Sequence, residues 1–291
     1  MKLLITGAQG FVGTHLLQHA ANKHEVVALS RPGSAKNIRA DRYVELDLSK
    51  AFKDFRDLPE VDVIIYLAQG VKPAKQGLET EPFLNVNCYS AVRLMQHAIE
   101  SGCQHFIYAS TGSVYLPNHN HHTEASTALN HHDLYAASKL SAEALLTALS
   151  GSIKLSIMRI FHPYGPGQKK RLIPNLITRI QNGDDITLPK NTSGISLCPL
   201  YISDLCEVVD SCLQTSYSGI LNVGGPQLLD LEKLCQLIGD IVGKKPKFKY
   251  VEEQEVLSVV PSLDLLRTKF TRIPQTLPEV GLAKTIDGLL H

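Results

Sequence analysis

Long apolar runs, an excess of one charge and paired cysteines are all missing from this 291-residue chain, and each absence excludes something. No stretch approaches the ~18 apolar residues of a spanning helix, so no membrane partner is expected. Lys+Arg 29 against Asp+Glu 28 leaves a formal net charge of +1. That balance offers no electrostatic footprint for nucleic acid or an anionic membrane surface. The cysteines, Cys88, Cys103, Cys198, Cys206, Cys212 and Cys235, form no CxxC pair and no zinc spacing. They read as small buried hydrophobes in a reducing compartment. The opening MKLLITGAQGFVG meets glycines at once and carries no apolar h-region with a cleavage site, unlike a secretion signal. Repeats, low-complexity tracts and long linkers are absent too. A soluble, cytoplasmic protein is the expectation. Its length suits one large α/β domain with a smaller companion lobe, and is too short for three ordinary domains.

What is present is alternation. Lys2 to Thr6, Glu25 to Leu29, Arg42 to Leu46, Val61 to Ala68, His105 to Ala109 and Leu155 to Ile160 read as strands. Helical patterns run to about Ala21, over Asn85 to Ser101, and over Leu134 to Leu149. Strands that are almost wholly apolar, such as VDVIIYLA, suit a sheet covered on both faces. The order predicts an α/β, Rossmann-type doubly wound parallel sheet. Beyond Arg159 prolines and glycines become frequent and elements shorten. Residues 1–160, with a return at about 204–225, are therefore assigned to a dinucleotide-binding domain, and 161–203 with 226–291 to a small C-terminal substrate lobe.

Gly7-Ala8-Gln9-Gly10-Phe11-Val12-Gly13 has the form GxxGxxG, after a strand and opening a helix. A plain tight turn can use such glycines. In the first strand–helix unit of an α/β chain they favour a cofactor loop, with the pyrophosphate on free N–H groups at a positive helix end. At the end of the second strand, where NAD sites often carry a carboxylate, stand Ser30 and Arg31. Arg31 is either a solvated turn residue or a donor fork for a 2′-phosphate. This favours NADP(H) and leaves NAD(H) open.

Tyr135 and Lys139 are four residues apart on one helix face. A nearby cation favours phenolate, making proton transfer at neutral pH feasible. The run Ser110-Thr111-Gly112-Ser113 ends the strand FIYAS, and open parallel sheets bind ligands at strand carboxyl ends. A hydroxyl there either caps a turn or holds a carbonyl for Tyr135.

With these residues in hand, the chain resembles the extended short-chain dehydrogenase/reductase superfamily, in its NAD(P)-dependent sugar epimerase/dehydratase branch. The likeness runs through TGAQGFVG, VIIYLA, NVNCYSAVRL, YASTGSVY, YAASK, RIFHPYGPG, YISDL and GILNVGGP. It implies Thr111, Tyr135 and Lys139 as catalytic residues. It implies Gly7, Gln9, Gly10, Phe11, Val12, Gly13, Ser30, Arg31, Asp47, Leu48, Leu67, Ala68, Gln69, Asn87, Tyr135, Lys139 and His162 at the cofactor, with Asp47 on adenine. Thr111, Ser113, His162 and Arg171 would meet a nucleotide-sugar substrate, and a homodimer would form through helices. Departures also matter. The Asp-Glu pair of family dehydratases is Gly112 and Ser113 here, which argues against dehydration, and Leu197 stands where a phosphate-gripping arginine is usual.

Among the twelve histidines, His119, His121, His122, His131 and His132 crowd a segment of loop composition without fixed ligand spacing. A solvated loop is expected there rather than a metal site. The functional expectation is an NADPH-dependent reductase of a nucleotide-linked keto-sugar (the 4-ketoreductase type), with a nucleotide-sugar 4-epimerase as the alternative. A cofactor-sensing binding protein is a further alternative, against which Thr111, Tyr135 and Lys139 together argue.

Overall fold

Short strands of Val, Ile and Leu, each followed by a polar or glycine turn, are the raw material of a buried parallel sheet. The computed structural model, which describes all residues except 35, 37, 38, 51–54, 56, 57, 72, 74–79, 253, 254 and 291, arranges them in that way. The sheet strands are β1 (Lys2–Thr6), β2 (Glu25–Ser30), β3 (Arg42–Glu45), β4 (Val63–Tyr66), β5 (His105–Thr111), β6 (Lys154–Ile160) and β7 (Gly219–Val223). They lie in the order β7-β6-β5-β4-β1-β2-β3, a seven-stranded parallel sheet of Rossmann type. Register places Ile5 beside Ala28 on one side and Ile65 on the other. The chain winds outward from β1 in both directions, so the carboxyl ends of β1 and β4 flank a topological switch point.

Helix α1 (Phe11–Ala20) follows β1, and α3 (Leu134–Leu149) precedes β6. Between them α2 is composite: Thr80–Leu84, a π-helical turn Asn85–Tyr89, then Ser90–Glu100. The uninterrupted α-helix expected from Asn85 to Ser101 is thus corrected. Its cause lies in groups from outside the helix. The Tyr66 and Tyr108 hydroxyls donate to the Val86 and Asn87 carbonyls at 2.6 and 2.7 Å, competing with the regular helical bonds. Such widened turns are frequent at functional sites. Leu4, Val27, Ile64, Phe106, Leu94 and Leu146 fill the core here. Each fully buried side chain of this size contributes roughly 1.5–3 kcal/mol.

Two compact units result: Met1–Val114 with Leu129–Arg159 and Val209–Leu221, and Tyr115–Ala128 with Ile160–Val208 and Asn222–His291. The second contains helices Leu172–Asn182, Leu231–Val242 and Pro278–Leu290, and a parallel strand pair Asp185–Pro189 and Lys247–Val251. The histidine-bearing segment 115–128 belongs to this second unit, and it corrects the solvated-loop expectation at one position. His121–His122 pairs as a short strand with Val260–Pro261. His122 is buried and stacks on Tyr115 with centroids 4.5 Å apart. His119, His131 and His132 are exposed. The six cysteines form no disulfide and are buried.

Candidate active site

Glycine is required twice in the turn after β1. Gly7 has φ +65°, and a Cβ on it would lie 2.9 Å from the backbone of Leu67 and Ala68. At Gly13 a Cβ would fall 2.2 Å from the Gly7 carbonyl oxygen. The turn therefore packs against the exit of β4 on one side and against α1 on the other. Thr6 Oγ1 fastens the arrangement by accepting from the Leu67 and Ala68 N–H groups, both at 3.1 Å. Gly10 caps α1 with extended backbone and makes no side-chain cap bond, and no acidic residue stands in the first turn. Gln9 and Gly10 are exposed, while Phe11 and Val12 are half-buried. A helix start left open in this way suits a pyrophosphate, through N–H donors and the positive dipole end.

At the end of β2, Ser30 is buried and its Oγ has no hydrogen-bond partner among the described residues. An orphaned hydroxyl at the end of β2 matches a ligand that supplies a ribose hydroxyl or phosphate oxygen. Beside it Leu46 N–H donates to the Ser30 carbonyl, bringing Asp47 into the same corner. The Asp47 carboxyl is held below its usual range chiefly by the Ser49 hydroxyl, which donates to Oδ1 at 2.6 Å, and also by the charges of Lys50 and Arg31. Leu48 is buried, and its carbonyl accepts from the Ser90 hydroxyl. Arg31 is exposed. The carboxylate of Glu45, in register with Ser30 on β3, is engaged by Lys36 at 3.0 Å. These features fit a nicotinamide dinucleotide.

The chemical groups converge at the end of β5. Asp133 caps α3 by accepting from the Tyr135 and Ala136 amides at 2.9 and 3.1 Å, so Tyr135 sits in the first helical turn. One turn on, Lys139 is buried; its ammonium donates to the Ala109 carbonyl at 2.8 Å and lies 4.7 Å from the Tyr108 ring centroid. Burial lowers its pKa from 10.5 to about 7, against the opposing pull of Glu143. Thr111 is half-buried, accepting from the Ser113 N–H at 3.2 Å and donating to the Ser113 hydroxyl at 3.3 Å. Ser113 itself is exposed.

The Lys139 shift carries a sign that can be measured. Between about pH 7 and 10.5 the unfolded chain holds a proton on this lysine that the folded chain does not. The folding penalty is therefore absent above 10.5 and grows as pH falls towards 7. Lys139→Met removes it, so thermal melts of parent and variant should differ more in the variant's favour at pH 7 than at pH 10. A pH-independent difference would show that Lys139 keeps its proton on folding.

A chain of hydrogen bonds that sequence reading missed ties these parts together. The Asn87 carboxamide accepts from Gly70 N–H at 2.8 Å and donates to Ser138 Oγ at 3.0 Å; that hydroxyl donates to the Tyr135 carbonyl at 2.8 Å. Asn87, completely buried, thus links the segment carrying exposed Gln69 to the helix carrying Tyr135. The resemblance already names Asn87 at the cofactor, but not its bonds. Its partners, Gly70 and Ser138, are fixed only by tertiary contact.

Two expected site residues lie in the second unit. His162 takes a left-handed backbone, φ 44°, and its Nδ1 is buried without a partner. Burial lowers its pKa to about 4, so at neutral pH it offers a hydrogen bond and no charge. Arg171 is exposed at the start of helix Leu172–Asn182. Leu197 is fully buried and paired with Leu229, committed to the core.

Fold and geometry give a Rossmann-type sheet with Tyr135 and a buried Lys139 one helical turn apart at the end of β5. Residues 3–224 match the model of the NAD dependent epimerase/dehydratase family, and the chain belongs to that family. It is 28% identical over 274 residues to YtcB of Bacillus subtilis (strain 168), described as an uncharacterized UDP-glucose epimerase, covering 87% of this chain and 86% of that protein. The dTDP-4-dehydro-6-deoxyglucose reductase of Escherichia coli is 24% identical over 261 residues, covering 84% and 82%. Among solved structures, the UDP-glucuronic acid 4-epimerase of Bacillus cereus, in complex with UDP-glucuronic acid and NAD, superposes with a TM-score of 0.82 at 23% identity, covering 100% of this chain and 99% of that one. The UDP-N-acetylglucosamine 4-epimerase of Methanobrevibacter ruminantium M1, in complex with UDP-N-acetylmuramic acid, gives 0.86 at 20% identity, covering 99% and 98%. At these identities the structures establish a shared fold. No helix among the described residues is long and apolar enough to cross a membrane.

Proposed function

We propose that this protein is an NAD-dependent nucleotide-sugar 4-epimerase. The observation that carries the reading is the placement of a buried Lys139, one helical turn after Tyr135, against the end of β5, in the same unit as a glycine turn that admits no side chain at Gly7 or Gly13. Epimerase relatives in sequence and fold move the reading from the reductase favoured by the sequence to the epimerase alternative.

The residues divide the work. The open amides at the start of α1 bind the pyrophosphate, and Ser30 meets the adenosine ribose. A bound NAD would supply the hydride chemistry that inverts C4. Tyr135 takes the proton of the 4-hydroxyl and gives it back, tuned by the Lys139 ammonium. Thr111 holds the sugar oxygen at the same point. Asn87, Ser138 and the Asp133 cap keep the helix turn in place during both half-reactions. His162 and Arg171 are proposed substrate contacts, and Gly112 and Ser113 leave dehydration without its acid–base pair. The family's helix-mediated homodimer is part of this reading. It is checked by light scattering, and Tyr89 on α2 and Leu145 on α3 are large, exposed side chains available to such an interface.

A second reading, the NADPH-dependent 4-ketoreductase, is favoured by one observation: Arg31 is exposed next to Ser30, where a carboxylate would repel a 2′-phosphate. A charge-assisted hydrogen bond is worth roughly 1.5–3 kcal/mol. Arg31→Ala should therefore weaken NADP binding about ten- to hundredfold and leave NAD binding nearly unchanged. Equal losses for both cofactors would make Arg31 a general phosphate or folding contact. Incubation with UDP-hexoses tests the main reading directly, through a C4 epimer formed without net change in nicotinamide absorbance.

A further inference from the structure

Successive turns of α3 grip successive residues of β5. Lys139 donates to the carbonyl of Ala109; Glu143, four residues on, accepts from the hydroxyl of Ser110 through Oε1. Arg159, from the neighbouring β6, closes on the same carboxylate, with Nη2 to Oε2 at 2.6 Å and Nε to both oxygens at 3.2 Å. Ser110, Lys139, Glu143 and Arg159 are each at most 5% exposed. Four polar groups have been taken out of water to build this arrangement, and every one is satisfied by another or by backbone. An ion pair so deep is weak evidence for stability, because apolar residues of similar volume often do as well. Its position next to Lys139 suggests a different use.

We propose that Glu143, clamped by Arg159 and Ser110, is a positioning residue that serves as the counter-charge of Lys139 and holds the ammonium in its proton-tuning place. The proposal rests on the reading of Tyr135 and Lys139 as the proton-handling pair. Residues four apart on a helix are neighbours, and an opposite charge at such range favours the charged form of a lysine. The other titratable groups around Lys139 do not supply that charge. Cys88, from the π-helical turn, and Tyr108, from β5, both have their pKa values raised by burial and stay neutral. Tyr135 becomes anionic only when it gives up its proton. Arg159, on β6, is positive and supplies no charge of the opposite sign. The Ser110 hydroxyl and the guanidinium fork fix the carboxylate's orientation, leaving it one helical turn from the ammonium.

The test reads Lys139 directly and needs no substrate. In protein labelled with carbon-13 at the lysine ε position, the Lys139 resonance is identified by its loss in Lys139→Met and followed against pH. Glu143→Gln keeps the shape but removes the negative charge and leaves Arg159 uncompensated. The proton affinity of Lys139 should then fall about tenfold. The double variant Glu143→Gln with Arg159→Met removes both charges and leaves none buried alone, so it keeps the measurement possible if the single variant does not fold. There the affinity should fall in the same direction by a smaller factor, because the carboxylate shares the Lys139 helix, four residues on. Mere loosening of the structure would admit water and move Lys139 the other way, towards the ordinary lysine value. An unchanged or increased proton affinity in the folded variants would overturn the proposal. Failure of the catalytic reading would appear elsewhere, as unimpaired turnover in Tyr135→Phe with the Lys139 titration still responding to Glu143.

Discussion

Turnover in Tyr135→Phe is expected to fall by about 10²–10⁴, the usual share of general acid–base catalysis. This corresponds to roughly 2.7–5.5 kcal/mol of barrier. The variant loses one hydroxyl and keeps the backbone anchors of the helix turn. The Tyr135 amide remains bonded to Asp133 and its carbonyl to Ser138, because both are backbone groups. Folding and cofactor binding should therefore survive, separating the chemical loss from a structural one. Turnover near the parent level, with the cofactor still bound, would place the proton donor at another residue.

Gly13→Ala should have the second large effect, and on binding in place of chemistry. One methyl group would stand 2.2 Å from the Gly7 carbonyl oxygen and 2.8 Å from Ala8 Cα, both of them backbone atoms that cannot rotate away. The turn has to open. Overpacking of this kind typically costs about 1–3 kcal/mol. Because the strained loop is the one that receives the pyrophosphate, NAD affinity should drop roughly ten- to hundredfold. The same substitution at exposed Gly33, where an added Cβ meets nothing within 4 Å but φ is +71°, controls for general glycine effects. Isothermal titration with NAD reads both. Parent-like affinity in Gly13→Ala would show that the turn after β1 is not the cofactor cradle.

Much of this site was legible from local spacing. GxxGxxG reports a strand-to-helix turn because all its constraints fall within seven residues, and Tyr135 and Lys139 share one face through helical geometry alone. Strand positions were readable for the same reason, since the run from Val63 to Tyr66 is buried on both faces and carries no alternation to misread. What escaped depends on distant partners. Asn87 matters through Gly70 and Ser138, and Glu143 through Ser110 and Arg159; no periodicity announces such pairs. The π-helical turn arises from two tyrosine hydroxyls on separate strands. His122 looked solvated because its neighbours in sequence are polar, whereas its burial comes from Tyr115 and the short strand at Val260–Pro261. The choice between epimerase and reductase escaped as well. Both reactions use the same tyrosine, lysine and threonine, and differ in whether the hydride returns to the sugar.

That difference can be read in one experiment. A UDP-hexose carrying deuterium at C4 is incubated with the purified protein and catalytic NAD, and the product is followed by NMR. Epimerisation predicts the C4 epimer with the deuterium still at C4 and no accumulation of reduced nicotinamide, because the hydride leaves and returns within one binding event. No epimer from any UDP-hexose, together with stoichiometric consumption of NADPH when a 4-keto nucleotide sugar is offered, would contradict the epimerase reading and make the protein a reductase.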